Sequence, residues 1–187
     1  MVQLTGRRDL LLLLIGDDPH GLGGITRLQK YLFLLQNEEH LELPNARFEF
    51  EPYKAGPYSP QLYDDLEFLE NLGFIESEVT AEASLPEAAE IDQLSFGHLM
   101  NTERVEAETA DTFEEKRFRL TDKGKQHISR ILETRNLQEL EGQIRRIKSK
   151  YGKYSLNKLL FHVYTKYPEM TTESEIRERV LRRSPRR

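Results

Sequence analysis

Apolar positions cut this chain into stretches of different period. Residues 7–15 read RRDLLLLLI, and five leucines in succession predict a first helix buried nearly all round. Asp17, Asp18, Pro19, His20 and Gly21 form a turn, with Pro and Gly as breakers. Gly23 and Gly24 lead into a second helix over 25–37, ITRLQKYLFLLQN. At about 100° per residue, Leu28, Leu32 and Leu35 share one face, Tyr31 lies beside it, and Lys30 stands opposite with Arg27 near it. Phe33 and Leu34 make most of this helix apolar.

Period two then takes over. Residues 47–53, RFEFEPY, alternate Phe48 and Phe50 against Glu49 and Glu51, which predicts a short strand. Residues 54–58 read as a turn. Ser59 as N-cap and Pro60 at the first helical position start a third helix over 60–72, and Gly73 stops it. Residues 74–79 and 115–120 are strand candidates. On the second, Phe118 and Leu120 face one way, Arg117 and Arg119 the other. Thr121 caps a helix to about 135.

Further on, Leu137, Leu140, Ile144, Ile147 and Tyr151 recur at steps of three and four, a narrow apolar seam. The seam fits packing within the chain and equally a homodimer through 137–151. Ser155 caps a helix through about 167, with Leu156, Leu159, Leu160, Val163 and Tyr167 on its buried face. Pro168 ends it, and a last short helix spans 172–181. Residues 80–114 are rich in Ala and Glu without strong period. They read as a flexible insertion at the tip of the strand pair, and the apolar patch 94–100 within them as a docking element for the body or a partner.

Helix, turn, glycine-terminated helix, strand, return strand and new helix is the layout of a winged helix-turn-helix. The expected fold is therefore α+β: a mostly helical winged-helix domain over 1–135 with a two- or three-stranded wing, and a C-terminal helical extension over 136–187. The chain has no Cys, so disulfides, thiolate metal sites and Cys nucleophiles are excluded. Its longest apolar run, 10–15, is far short of a membrane span, and no cleavage signal follows it. The expectation is a cytoplasmic protein without membrane contact.

Charge complicates the usual link from this fold to DNA. The net charge of −5 conceals a partition. Residues 1–59 carry 6 basic and 8 acidic side chains, 60–115 carry 1 and 16, and 116–187 carry 20 and 8. In winged helices the second helix of the turn motif enters the major groove. Here that helix, 60–72, has no Lys or Arg. With Leu62, Leu66 and Leu69 fixing its buried side, its outer face offers Gln61, Asp64, Glu67, Phe68 and Asn71. Carboxylates aimed at a duplex oppose the phosphate attraction that supplies most non-specific affinity. Such a face, with Lys30 and the aromatic turn at Tyr58 nearby, suits a protein partner better. The nucleic-acid alternative rests on Arg117 and Arg119 of the wing and on Arg145, Arg146, Lys148, Lys150 and Lys153. Neutralisation of that basic half within the chain is the competing reading.

Catalytic chemistry finds no footing. His20, His40, His98, His127 and His162 are scattered, without metal spacing, and no glycine-rich phosphate loop is present. Asp64 and Asp65 are adjacent in a helix, diverge by about 100°, and cannot act as one pair. Ser59 is better explained as a cap than as a nucleophile. No metal and no cofactor are expected, and no enzymatic activity.

The segments LQKYLFLLQ, the YKAGPYS turn, LYDDLEFLENLGFI, RFRLTDKG and LLFHVYTKYPEMTTES together resemble the YwgA-like proteins of bacteria and archaea. More distantly they are similar to the Panacea antitoxin domain, which includes SocA-like proteins. The likeness covers most of the chain outside 80–114. It implies a small non-enzymatic regulator or adaptor, antitoxin-like, acting on a cognate protein such as a toxin or effector encoded nearby. The runner-up is a DNA-binding transcriptional regulator, and a third reading is a structural subunit of a larger complex.

Overall fold

The computed structural model describes residues 6–16, 18, 22–39, 44–80, 91, 115–134 and 137–182. The fold mixes helices with small antiparallel sheets, an α+β arrangement. Helix α1 spans Arg7–Gly16, strand β1 Leu22–Gly23, and helix α2 Ile25–Glu38. A hairpin follows, β2 Glu51–Tyr53 and β3 Gly56–Tyr58, then helix α3 Pro60–Asn71 and strand β4 Ile75–Thr80. Strand β5 is Glu115–Leu120, followed by α4 Asp122–Thr134, α5 Gln138–Tyr151, α6 Leu156–Lys166 and α7 Arg177–Arg182.

The core is one cluster that runs from Leu10 on α1 to Val180 on α7. Residues on both sides of position 135 belong to it. Leu10 to Ile15 are all buried, as five consecutive leucines require. Helix α2 is the centre: α5, α6, β3 and β1 all pack on it, so it has no open side. The seam on α5 is occupied within the chain. Leu140, Ile144, Ile147 and Tyr151 are buried among the core residues, so of the two alternatives for 137–151 the seam serves packing within the chain and leaves a homodimer no apolar seam to use.

Three strands form the main sheet, in the order β1-β5-β4, all antiparallel. Ile75 faces Leu120 and Thr80 faces Glu115 across β4 and β5. Strand β1 was not expected. Its two residues pair with Phe118 and Arg117 and make β5 the central strand. A dipeptide containing glycine carries too little period to signal a strand.

The strand expected over 47–53 is pairing only at 51–53, though its alternation holds: Phe48 is buried and Glu49 and Glu51 are exposed. The reason is a side chain. The Gln36 amide donates to the Phe48 carbonyl at 3.0 Å and accepts from the Phe48 N–H at 2.6 Å, taking both groups a ladder would use. Residues 56–58, expected as turn, form β3, and only Lys54 and Ala55 make the reversal. Tyr164, not Tyr167, joins the leucines and Val163 on the buried face of α6; Tyr167 is half-buried and meets Phe33 edge-on at 4.9 Å. The last helix starts five residues later than expected. The Glu175 N–H and the Ser174 hydroxyl both donate to the Lys54 carbonyl, at 3.0 and 3.1 Å, which ties 174–175 to the hairpin instead of to a helix.

Two turns fix how α3, the sheet and α4 meet. At the end of α3, the Gly73 N–H bonds to the Glu70 carbonyl at 2.8 Å and the Phe74 N–H to the Leu69 carbonyl at 2.9 Å, with Gly73 at φ +69°. This is a Schellman stop, and it needs glycine for the positive φ. At the start of α4, Thr121 caps as expected, accepting from the Gly124 N–H at 3.2 Å and donating to the Gly73 carbonyl at 2.7 Å. Gly124 sits on the chain itself: a Cβ there would lie 2.1 Å from the Phe74 carbonyl oxygen. Alanine favours a helix over glycine by about 1 kcal/mol, yet the overlap is with backbone and no rotamer relieves it. Gly124→Ala should therefore cost about 2 kcal/mol net and lower the melting temperature by roughly 4–8 °C. A gain in melting temperature would show that propensity outweighs the overlap.

The patch at 94–100 lies outside the described residues, as does the insertion over 80–114 apart from Thr80 and Ile91. The turn before Gly21 does too, except Asp18. Ile91 is buried against the core. Among the described residues no helix is long and apolar enough to cross a membrane.

Candidate functional site: the outer face of α3

Leu62, Leu66 and Leu69 turn inward from α3, and Asp65 shares their stripe at helical spacing. Asp65 is therefore buried, and its carboxylate is held by α1: the Nε groups of Arg7 and Arg8 donate to separate oxygens, both at 2.8 Å. Arg8 also lies over the Phe68 ring at 3.5 Å from its centroid, and Arg7 over Phe48 at 5.6 Å. One buried acid thus orients two arginines, and one of these covers part of an exposed aromatic.

The opposite face is open. Asp64, Glu67 and Asn71 are exposed, and Gln61 is half-exposed. Phe68 and Leu72, at 40% and 44%, are the exposed large hydrophobic residues among those described, one helical turn apart. Gln61 is anchored: its oxygen accepts from the Glu49 N–H at 3.1 Å and its amide reaches the Glu49 carboxylate at 3.4 Å. Of the residues expected to form the surface, Gln61, Asp64, Glu67, Phe68 and Asn71 share this face.

Lys30 and Tyr58 do not join it. Lys30 is 2% exposed, and its Nζ donates to the Pro57 carbonyl at 2.8 Å. The helix wheel sets it opposite Leu28 and Leu32, but that side of α2 is covered by the hairpin and is not solvent. Tyr58 is buried between Tyr53 and Tyr63, at centroid distances of 4.6 and 5.6 Å. Burial, with the nearby charges of Tyr53, Glu51 and Asp64, pushes its phenol up to about 12. Ser59 sits at the N-cap position, but its hydroxyl makes no cap bond; the cap N–H of Ser59 itself goes to the Gln29 oxygen at 3.0 Å.

The basic residues are largely matched inside the chain. Arg119 pairs with Glu78 on the neighbouring strand. On α5, Arg145 meets Glu141 at 3.5 Å, and Arg146 bridges Glu39 at 2.7 Å and Glu139 at 3.0 Å. Lys150 reaches Glu38 at 2.8 Å. Arg117 and Lys148 are half-buried, and Lys153 is exposed. The acids that neutralise α5 thus lie on α5 itself and at the end of α2, while Arg119 takes its partner, Glu78, from the acidic middle of the sequence.

Glu38 is the hub of that arrangement. Its side chain is almost fully buried and takes bonds from Lys150, Tyr151 at 2.7 Å, Lys166 at 2.6 Å and His162 at 3.3 Å. Burial alone would raise its pKa. The bonds from Lys150, Lys166, Tyr151 and His162 outweigh it and bring the carboxyl down to about 2. A second buried acid, Asp9, lies 2.9 Å from His127 Nε2. Among the described residues no group of His, Asp and Glu has the geometry to hold a metal ion.

Sequence reasoning passed over Asp65 and Glu38, although each left a trace. Asp65 is an acid on an apolar stripe. Glu38 and Glu39 sit at a helix C-terminus, where the dipole disfavours negative charge and cations are needed. A scan against known protein families finds no match, and a search of curated proteins finds no match either.

Proposed function

We propose that the chain is a winged-helix regulator or adaptor, non-enzymatic and antitoxin-like, that binds a cognate protein through the outer face of α3. The observation that carries this reading is the chemistry of that face. It exposes Asp64 and Glu67 beside Phe68 and Leu72, and α3 holds no Lys or Arg. A basic surface with an apolar side chain at its centre complements it, because charge sets the encounter and buried aromatics supply most of the affinity. The order α2, hairpin, α3, β4, β5 supports the winged-helix reading, as does β1 pairing on β5. The likeness to YwgA-like and Panacea proteins supports the antitoxin-like role.

Ion pairing of Arg119, Arg145, Arg146 and Lys150 within the chain weakens the DNA alternative. A gel-shift series on duplex DNA tests it. The expected result is no retardation at low salt. Retardation that fades steeply with salt and disappears in Arg117→Ala/Arg119→Ala would replace this proposal with a DNA-binding one.

A further inference from the structure

Away from α3, the surface opens between α1, β5, α4 and α5 into a cleft of about 250 Å³. Its wall is aliphatic: Leu13 from α1, Leu120 from β5, Ile128 and Leu132 from α4, and Ile144 from α5. Leu120, Ile128 and Leu132 are only half-buried, so apolar surface faces the opening. Gly16 lies on the same wall. A Cβ there would come within 2.6 Å of Leu120 Cδ1 and 3.2 Å of Ile128 Cδ1, so glycine leaves those two side chains their positions.

The rim is polar and carries two cations and one acid. Lys125 on α4 and Arg145 on α5 overlook the cleft from two different helices, with Ser129 and Glu141 between them. Each cation has a partner on its own helix: Lys125 meets Asp122 at 3.2 Å and Arg145 meets Glu141 at 3.5 Å. The side chains of Lys125 and Arg145 are largely exposed, and surface pairs of this kind are worth little, so an incoming anion can replace them.

We propose that this cleft binds a small amphipathic monoanion: an aliphatic body of about ten non-hydrogen atoms ending in a carboxylate. The body covers Leu120, Ile128 and Leu132 and displaces water from them. The carboxylate receives Lys125 and the Arg145 guanidinium, whose fork matches it in geometry. Glu141 on the same rim disfavours a second negative charge. The site is separate from the α3 face and stands without the reading of that face.

Octanoate is the probe. Titrated into the full chain and followed by methyl NMR and calorimetry, it should bind with a Kd of roughly 0.1–1 mM. Shifts should centre on Leu120, Ile128, Leu132 and Ile144. Octylammonium, with the same body and the opposite head, should bind at least about tenfold more weakly. Lys125→Gln/Arg145→Gln, at two exposed positions, should weaken octanoate about tenfold. Leu132→Trp should fill the cleft and abolish binding; if that variant unfolds, the glutamine pair still decides. The proposal is overturned by any of three results: no methyl shift up to roughly 5 mM octanoate, equal binding of the two probes, or unchanged affinity in the glutamine variant.

Discussion

Glu38→Ala should destabilise the fold by about 3 kcal/mol at neutral pH and flatten its response to acid. The carboxyl is lowered from 4.5 to about 2 in the folded chain, so folding favours its ionised form. That contribution is fully present above the unfolded value and is lost as pH falls from about 5 toward 2. A sealed group shifted that far would contribute about 3 kcal/mol; with Lys150 and Lys166 half-exposed and screened, about 2 kcal/mol is the better figure. Removing the acid also takes one partner each from the Tyr151 hydroxyl and His162, which keep their mutual bond at 2.9 Å, adding about 1 kcal/mol. Urea melts at a series of pH values check the sign as well as the size. The gap between wild type and variant should be widest near neutrality and narrow steadily toward pH 2. A gap that stays constant with pH would mean that Glu38 acts through packing and not through its charge.

Asp65→Ala should cost a similar amount, about 3 kcal/mol, by a different route. Its carboxylate is the acid partner of both Arg7 and Arg8, and each arginine gives it one charge-assisted bond. Asp65 is buried while both arginines are about one-third exposed, so the stranded cations can turn to water. That places the loss at the lower end of the range for broken buried pairs. Asparagine should not rescue it, because the amide nitrogen would face a guanidinium. For a chain of this size the melting temperature should fall by roughly 6–12 °C. A drop corresponding to less than about 1 kcal/mol would show that α1 is held to α3 by apolar packing alone. The variant also frees Arg8 from its place over Phe68, so it alters the α3 face without touching an exposed residue.

Most of the helical frame was legible because its signals are local. A glycine stop after α3, a threonine cap before α4, a serine cap before α6 and the leucine periodicities each depend on residues within two turns of one another. The α3 face was legible for the same reason, since a helix with three inward leucines fixes its own outward side. What escaped depends on distant partners. Lys30 could be given an angle from its helix, but not the knowledge that β3 and its Pro57 carbonyl close over it. The strand at 47–50 failed because Gln36, twelve residues away from Phe48, supplies the bonds a neighbouring strand would have supplied. The α5 seam carried no sign of its partner, and α2 takes it. Glu38 and Asp65 looked like ordinary acids until their cations, more than fifty residues away, came into place.

The α3 face itself is tested by purifying the tagged chain from its native host beside Asp64→Lys/Glu67→Lys, and identifying bound protein and nucleic acid in both. The partner recovered is then titrated into each purified chain by calorimetry. Both substituted positions are exposed, so the melting temperature should stay within about 2 °C of wild type. The expected result is one protein with a basic surface that binds wild type and binds the double variant at least about tenfold more weakly. Equal affinity for the two chains, or recovery of DNA in place of a protein, would contradict the assignment of α3 as a protein-binding surface.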